Sequence, residues 1–145
     1  MLRVTLCALS AFAFACASTS SIQIEQAAHA SFAEAQTFGF DTQPSPSDPA
    51  FGGAERGAAE AAIGAAFASK GLTAADAVDA DLRVTVRTAL EPGPRTDARR
   101  ISIVVRPHGS ESPVWTATTH MQGDTLSLSE LRRQVAAATR RFPVE

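Results

Sequence analysis

The sequence predicts an α+β fold, an antiparallel sheet with two helices packed on one face. Three observations carry that prediction. Three stretches alternate apolar and polar residues with the period of two that a half-buried strand requires. Two others place apolar residues at helical spacing. Their order, β-α-β-β-β-α, puts one helix ahead of a strand meander and one behind it, so both can cover the same sheet face.

The elements follow in chain order. Residues 22–26 have strand character, and in residues 36–41 Phe38 and Phe40 alternate with Thr37 and Gly39. The closely spaced prolines of residues 43–49, QPSPSDP, cannot sustain a helix or a central strand and read as a loop. A helix comes next, capped by Asp48 with Pro49 in its first turn, or starting later near Ala54 because Gly52 and Gly53 intervene. Ala59, Ile63, Ala66 and Phe67 form its apolar stripe. Gly71 is placed to end it in a left-handed conformation, with Leu72 folding back towards Phe67.

In the meander, Leu82, Val84 and Val86 share one face and Arg83, Thr85 and Arg87 the other. Ile101, Ile103 and Val105 alternate with Ser102, Val104 and Arg106, and Trp115, Ala117, Thr119 and Met121 with Thr116, Thr118 and His120. The joints EPGP and PHGS are turn formers. In the last helix, Ser127 and Glu130 have capping-box spacing and Leu126 and Leu131 that of a hydrophobic staple. Leu128, Leu131, Val135, Ala138 and Phe142 mark its buried face, and Pro143 stops it.

At 145 residues the chain suits a single domain, with a core built from Ala, Val, Ile, Leu and Phe, because tyrosine is absent and tryptophan occurs once. Its 13 basic residues against 15 acidic ones make no case for nucleic acid, which needs concentrated basic surface. The N-terminus reads as an export signal over residues 1–15: Arg3 precedes an apolar run too short to cross a bilayer. Cys7 lies inside that run and leaves with it. Cys16 follows Ala13, Phe14 and Ala15, a stretch resembling a bacterial lipoprotein box, where cleavage exposes a cysteine that carries diacylglycerol. The small residues Ala13 and Ala15 also suit ordinary signal peptidase. Residues 16–35 then serve as a tether and a possible first strand, and residues 36–145 as the domain.

Several motifs taken together, TFGF at residues 37–40, KGL at 70–72, ADLRV at 80–84, VW at 114–115 and the closing Phe142-Pro143, resemble the bacterial lipoprotein family called domain of unknown function 4136. The resemblance covers residues 36–143. It implies a small envelope lipoprotein of this element order with no catalytic set to carry over, while Ala17 rather than aspartate after Cys16 resembles lipoproteins sent on to the outer membrane, where the domain would face the periplasm. A free periplasmic or secreted protein is the alternative.

No residue constellation points to a reaction. There is no nucleophile elbow and no phosphate-cradling glycine loop. His29, His108 and His120 lack zinc spacing, and Asp76, Asp79 and Asp81 lack the glycine turn and distal glutamate of a calcium loop. No cofactor or metal is expected. One surface is a candidate for binding: Arg83, Arg87 and Arg106, with His120, on the sheet face away from the helices, suited to an anionic ligand or an envelope protein partner. The expectation is a non-catalytic envelope lipoprotein, bound to the membrane through a lipid on Cys16 and acting as a binding or support module. The alternatives are a small secreted hydrolase and a lipid-binding or transport-auxiliary module.

Overall fold

A computed structural model of the chain describes residues 21–28, 30, 32–41, 51–94, 96–122 and 127–143. The leader, Cys7, Cys16, His29, the proline-rich residues 43–49 and Leu126 of the staple lie outside them.

The fold is α+β, with a six-stranded sheet and two helices. In chain order the elements are β1 (Gln23–Gln26), β2 (Thr37–Phe40), α1 (Gly53–Ala68), β3 (Thr73–Ala74), β4 (Leu82–Glu91), β5 (Ala98–Pro107), β6 (Trp115–Gln122) and α2 (Leu128–Thr139). The expected meander forms: β4, β5 and β6 pair antiparallel in sequence order, and β1 joins the far side of β6 antiparallel. The sheet is mixed, however, because β2 lies between β4 and β3 and runs parallel to both. The reason is connectivity. After β2 the chain crosses through α1, which returns it to the same sheet edge in the same direction.

This topology imposes a second crossing. From β3 the chain must reach the start of β4 by passing over β2, and residues 75–81 do so on the face away from the helices. They run so close that a Cβ on Gly39 would lie 2.6 Å from the Ala77 Cα and 2.9 Å from the Ala75 oxygen. Glycine is the residue that lets this crossing lie flat on the sheet.

The helix ends are instructive. At Gly71, φ is +88°, its N–H bonds the Ala68 carbonyl and the Leu72 N–H bonds the Phe67 carbonyl, which is the expected Schellman closure of α1. The N-cap of α1 is Gly52, the later of the two starts, and the Glu55 carboxylate accepts from its N–H at 3.1 Å. At α2, Ser127 is the N-cap but its hydroxyl caps nothing. It meets the Ser129 hydroxyl at 2.9 Å, while Glu130 bonds Arg133 and the Gln134 amide. The predicted capping box is therefore not formed, because Glu130 has stronger partners one turn further along its own helix.

Between helices and sheet the space is filled by aromatic rings centred on Phe142. Its centroid is 4.6 Å from Phe32, 4.8 Å from Phe67 and 5.2 Å from Trp115, and Phe67 also meets Phe38 edge-on at 5.1 Å. All five are essentially inaccessible to solvent. Ile63, Leu131, Val135, Val84, Ile103 and Val105 complete the core. The burial of Phe32 and the pairing of β1 with β6 carry the folded unit N-terminal of Gln36.

Candidate functional site

The sheet's open face carries the residues singled out for binding. Arg83, Arg87, Arg106 and His120 do share that face, as alternation requires, but they are not equivalent. The Arg83 guanidinium donates to the Ser110 carbonyl at 2.7 Å and reaches the Glu111 carboxylate at 3.3 Å. Arg106 donates to the Glu111 carbonyl at 3.0 Å and to the buried Thr85 hydroxyl at 3.2 Å. Both arginines therefore tie down the β5–β6 hairpin loop. His120 and Arg100 flank Glu91, at 3.5 and 3.2 Å. Arg87 is exposed beside them.

A cleft of about 430 Å³ lies where the crossing segment 75–81 approaches that hairpin loop, lined by Asp41, Ala77, Val78, Arg83, His108, Gly109 and Glu111. Its rim includes Val78, the most exposed large apolar side chain described. Two carboxylates, a guanidinium and an imidazole converge there, a mixed-charge arrangement suited to hydrogen bonding a small polar ligand.

Asp81 fixes one wall of the cleft. Its Oδ2 accepts from the Gln36 N–H at 3.0 Å, the Thr37 N–H at 2.9 Å and the Thr37 hydroxyl at 2.8 Å, while its own N–H donates to that hydroxyl. The Gln36 amide first, then the Thr37 hydroxyl and amide, hold its carboxyl below the ordinary carboxylate value. Desolvation opposes them, and His108 adds a smaller attraction. His108 in turn donates its backbone N–H to the Asp81 carbonyl, and its Nδ1 lies 3.3 Å from the Ala80 carbonyl. Asp81 thus latches β2 to β4, which gives the ADLRV motif a structural role.

A second cavity, about 510 Å³, runs along the outside of the helix pair. Ala61, Ala62, Ala65, Ala66 and Ser69 of α1 line one side, with Arg132 and Ala136 of α2 and the following Arg140 on the other. The sequence reading passed over it. The available signal was four arginines in residues 132–141, set on the polar side of an amphipathic helix opposite an alanine-rich one.

Trp115 lines neither cavity. It is buried, and its indole nitrogen makes no hydrogen bond. Among the described residues, no three His, Cys, Asp or Glu side chains cluster as metal ligands would, and no helix is long and apolar enough to cross a membrane.

No protein-family model matches the chain, and no curated protein matches it. Solved structures do. The PelC dodecamer from Paraburkholderia phytofirmans has TM-score 0.54, and a variant of it 0.56; each is 12% identical, covering 83% of this chain and 95% of its own. A PDZ domain protein from Parabacteroides distasonis reaches TM-score 0.66 at 13% identity, over 86% of this chain but 35% of that one. At such identities the likeness is one of fold.

Proposed function

We propose that the chain is a non-catalytic bacterial envelope lipoprotein of the domain of unknown function 4136 type, held to the outer membrane through Cys16. Its α+β domain works by binding or by supporting an envelope assembly. The observation that carries this reading is the position of β1. It begins at Gln23, seven residues after Cys16, and is hydrogen bonded at the sheet edge. An acyl chain on Cys16 would therefore hold the start of β1 within about 25 Å of the bilayer surface, since seven residues span at most ~3.3–3.6 Å each.

Two further observations support it. The polar side chains of the open face are largely engaged in holding the fold, as Arg83, Arg106 and Asp81 show, which suits a scaffold. A protein of similar fold, PelC, forms a dodecamer, which favours the supporting role within an assembly.

The test is mass spectrometry of the protein recovered from the membrane fraction of its host. A mature N-terminus at Cys16 bearing diacylglycerol is expected. An N-terminus elsewhere, or an unmodified Cys16 thiol, would overturn the anchoring and leave a free periplasmic or secreted domain.

A further inference from the structure

The chain's charge is unevenly placed. Over the whole sequence acidic residues outnumber basic ones, yet residues 127–143 hold four arginines against one glutamate. All four arginines are exposed. Glu130 is already bonded to Arg133 and Gln134, so the charge of Arg132, Arg140 and Arg141 has no acidic side chain of α2 left to neutralise it.

Three features bring that charge to one end of the molecule. The Phe67 ring, in the last turn of α1, packs on the Phe142 ring just beyond the end of α2, and Lys70 Nζ donates to the Phe142 carbonyl at 2.8 Å. Lys70, Arg140 and Arg141 therefore share that end. Arg140 donates its Nε to the Ala136 carbonyl, which leaves its terminal amino groups beside the alanine-lined groove. Arg141 donates to the Ile22 carbonyl at 3.4 Å. The strand that leads back to Cys16 thus leaves the fold directly beside the basic cluster. Ile22 is six residues after Cys16, a reach of at most about 20 Å.

We propose that Arg132 and Arg140, which line the groove between α1 and α2, together with Arg141 beside Ile22, dock onto an anionic lipid headgroup surface, that of the bilayer carrying the anchor. This rests on the reading of Cys16 as the anchored residue. The chemistry is complementary. Guanidinium groups bind phosphate oxygens through paired N–H donors. Arg132 and the C-cap Arg140, eight residues apart and both lining the groove, are spaced by about 12 Å along the helix axis and can engage separate headgroups. The alanine methyl groups between them offer a shallow apolar floor at the depth where headgroups meet acyl chains. Docking fixes the orientation of the domain: helices towards the membrane, and the open sheet face with its cleft towards the periplasm.

The test uses the acylated protein, reconstituted in vesicles of phosphatidylcholine alone or with phosphatidylglycerol. A fluorophore is placed on Ala136→Cys in the groove or, as a reference, on Thr118→Cys on the open face. Headgroup-nitroxide lipid should quench the Ala136 probe more than the Thr118 probe only when phosphatidylglycerol is present, and added salt should remove the difference. With each arginine near an anionic surface worth about fivefold, Arg132→Ala with Arg140→Ala should lower the docked-to-undocked ratio about 25-fold. The Arg132→Lys and Arg140→Lys pair, which keeps the charge, should retain most of it. Equal quenching at both probes, or quenching indifferent to phosphatidylglycerol and salt, overturns the docking surface. Mass spectrometry of the same preparation reads Cys16 separately. If Cys16 proves unacylated, the anchoring reading fails, and flotation of that protein with phosphatidylglycerol vesicles still decides the docking.

Discussion

Replacing Gly39 with alanine tests the crossing of residues 75–81 over β2, the feature that most constrains this topology. Were the space above Gly39 open, the change would stabilise the protein by about 0.4–1 kcal/mol, because alanine lowers the entropy of the unfolded chain. The structure reverses that sign. The new Cβ would lie 2.6 and 2.7 Å from the Ala77 Cα and nitrogen and 2.9 Å from the Ala75 oxygen, all backbone atoms with no side-chain freedom to yield. Relief requires the crossing segment to lift. That strains the Ala75 N–H bond to the Phe38 carbonyl and the Thr73 N–H bond to the Gln36 carbonyl, both 2.9 Å, which hold β3 to β2. Overpacking of this kind costs about 1–3 kcal/mol, so Gly39→Ala should be net destabilising by about that amount. Gly64→Ala is the matched control. Gly64 lies inside α1 and its new Cβ would meet only the Phe38 ring, at an ordinary 3.9 Å, so helix propensity should make it stabilising by ~0.5–1 kcal/mol. Urea unfolding of both variants at constant m decides the matter. If Gly39→Ala is as stable as Gly64→Ala, the crossing does not lie where the structure puts it.

Other substitutions probe the cleft walls and the core. Asp81→Asn removes a carboxylate whose pKa is lowered in the folded state, so its stabilisation is present above the unfolded value of about 4 and lost as pH falls through the folded value. The urea midpoints of parent and variant should therefore differ at neutral pH and converge in acid; a gap that widened in acid would reverse the assignment. Arg106→Ala removes the bond to the Glu111 carbonyl, and hydrogen exchange should quicken in the 108–114 loop while β4 amides keep their protection. Gln134→Ala leaves the buried Thr119 hydroxyl without its acceptor, a loss of about 1–3 kcal/mol in unfolding free energy, which Thr119→Val in the same background should partly recover.

Much of the fold was legible because its signals are local. Alternation assigned the faces of β4, β5 and β6 correctly, and the order Phe67, Gly71, Leu72 specified the end of α1 down to its hydrogen bonds. What stayed hidden depends on contacts between residues far apart in sequence. Nothing around Phe38 announces that β2 pairs parallel to β4, and a glycine that yields to Ala77 looks like any other strand glycine. Phe32 stands in a stretch without periodicity, yet it packs on Phe142, 110 residues away. The open face showed the same limit. Pattern placed Arg83 and Arg106 together, but only the three-dimensional path of the hairpin loop shows that its carbonyls occupy them.

The start of α2 separates sequence logic from structure most sharply. Ser127 and Glu130 have the spacing of a capping box, and on that reading Ser127→Ala would cost about 1 kcal/mol. In the structure the Ser127 hydroxyl meets only the Ser129 hydroxyl, and the Glu130 carboxylate is held by Arg133 and by the Gln134 amide at 2.7 Å. Gln134 in turn accepts from the buried Thr119. Glu130 thus serves a chain of bonds running into the core, and turning back to cap the helix would break it at Gln134. Ser127→Ala should therefore change unfolding free energy by less than about 0.5 kcal/mol, the usual range for a surface substitution, while Glu130→Ala should cost more by releasing the Gln134 amide. A loss of 1 kcal/mol or more in Ser127→Ala, with Glu130→Ala no worse, would show that the box forms after all and that the bond from Glu130 to Gln134 is not what holds this end of the helix.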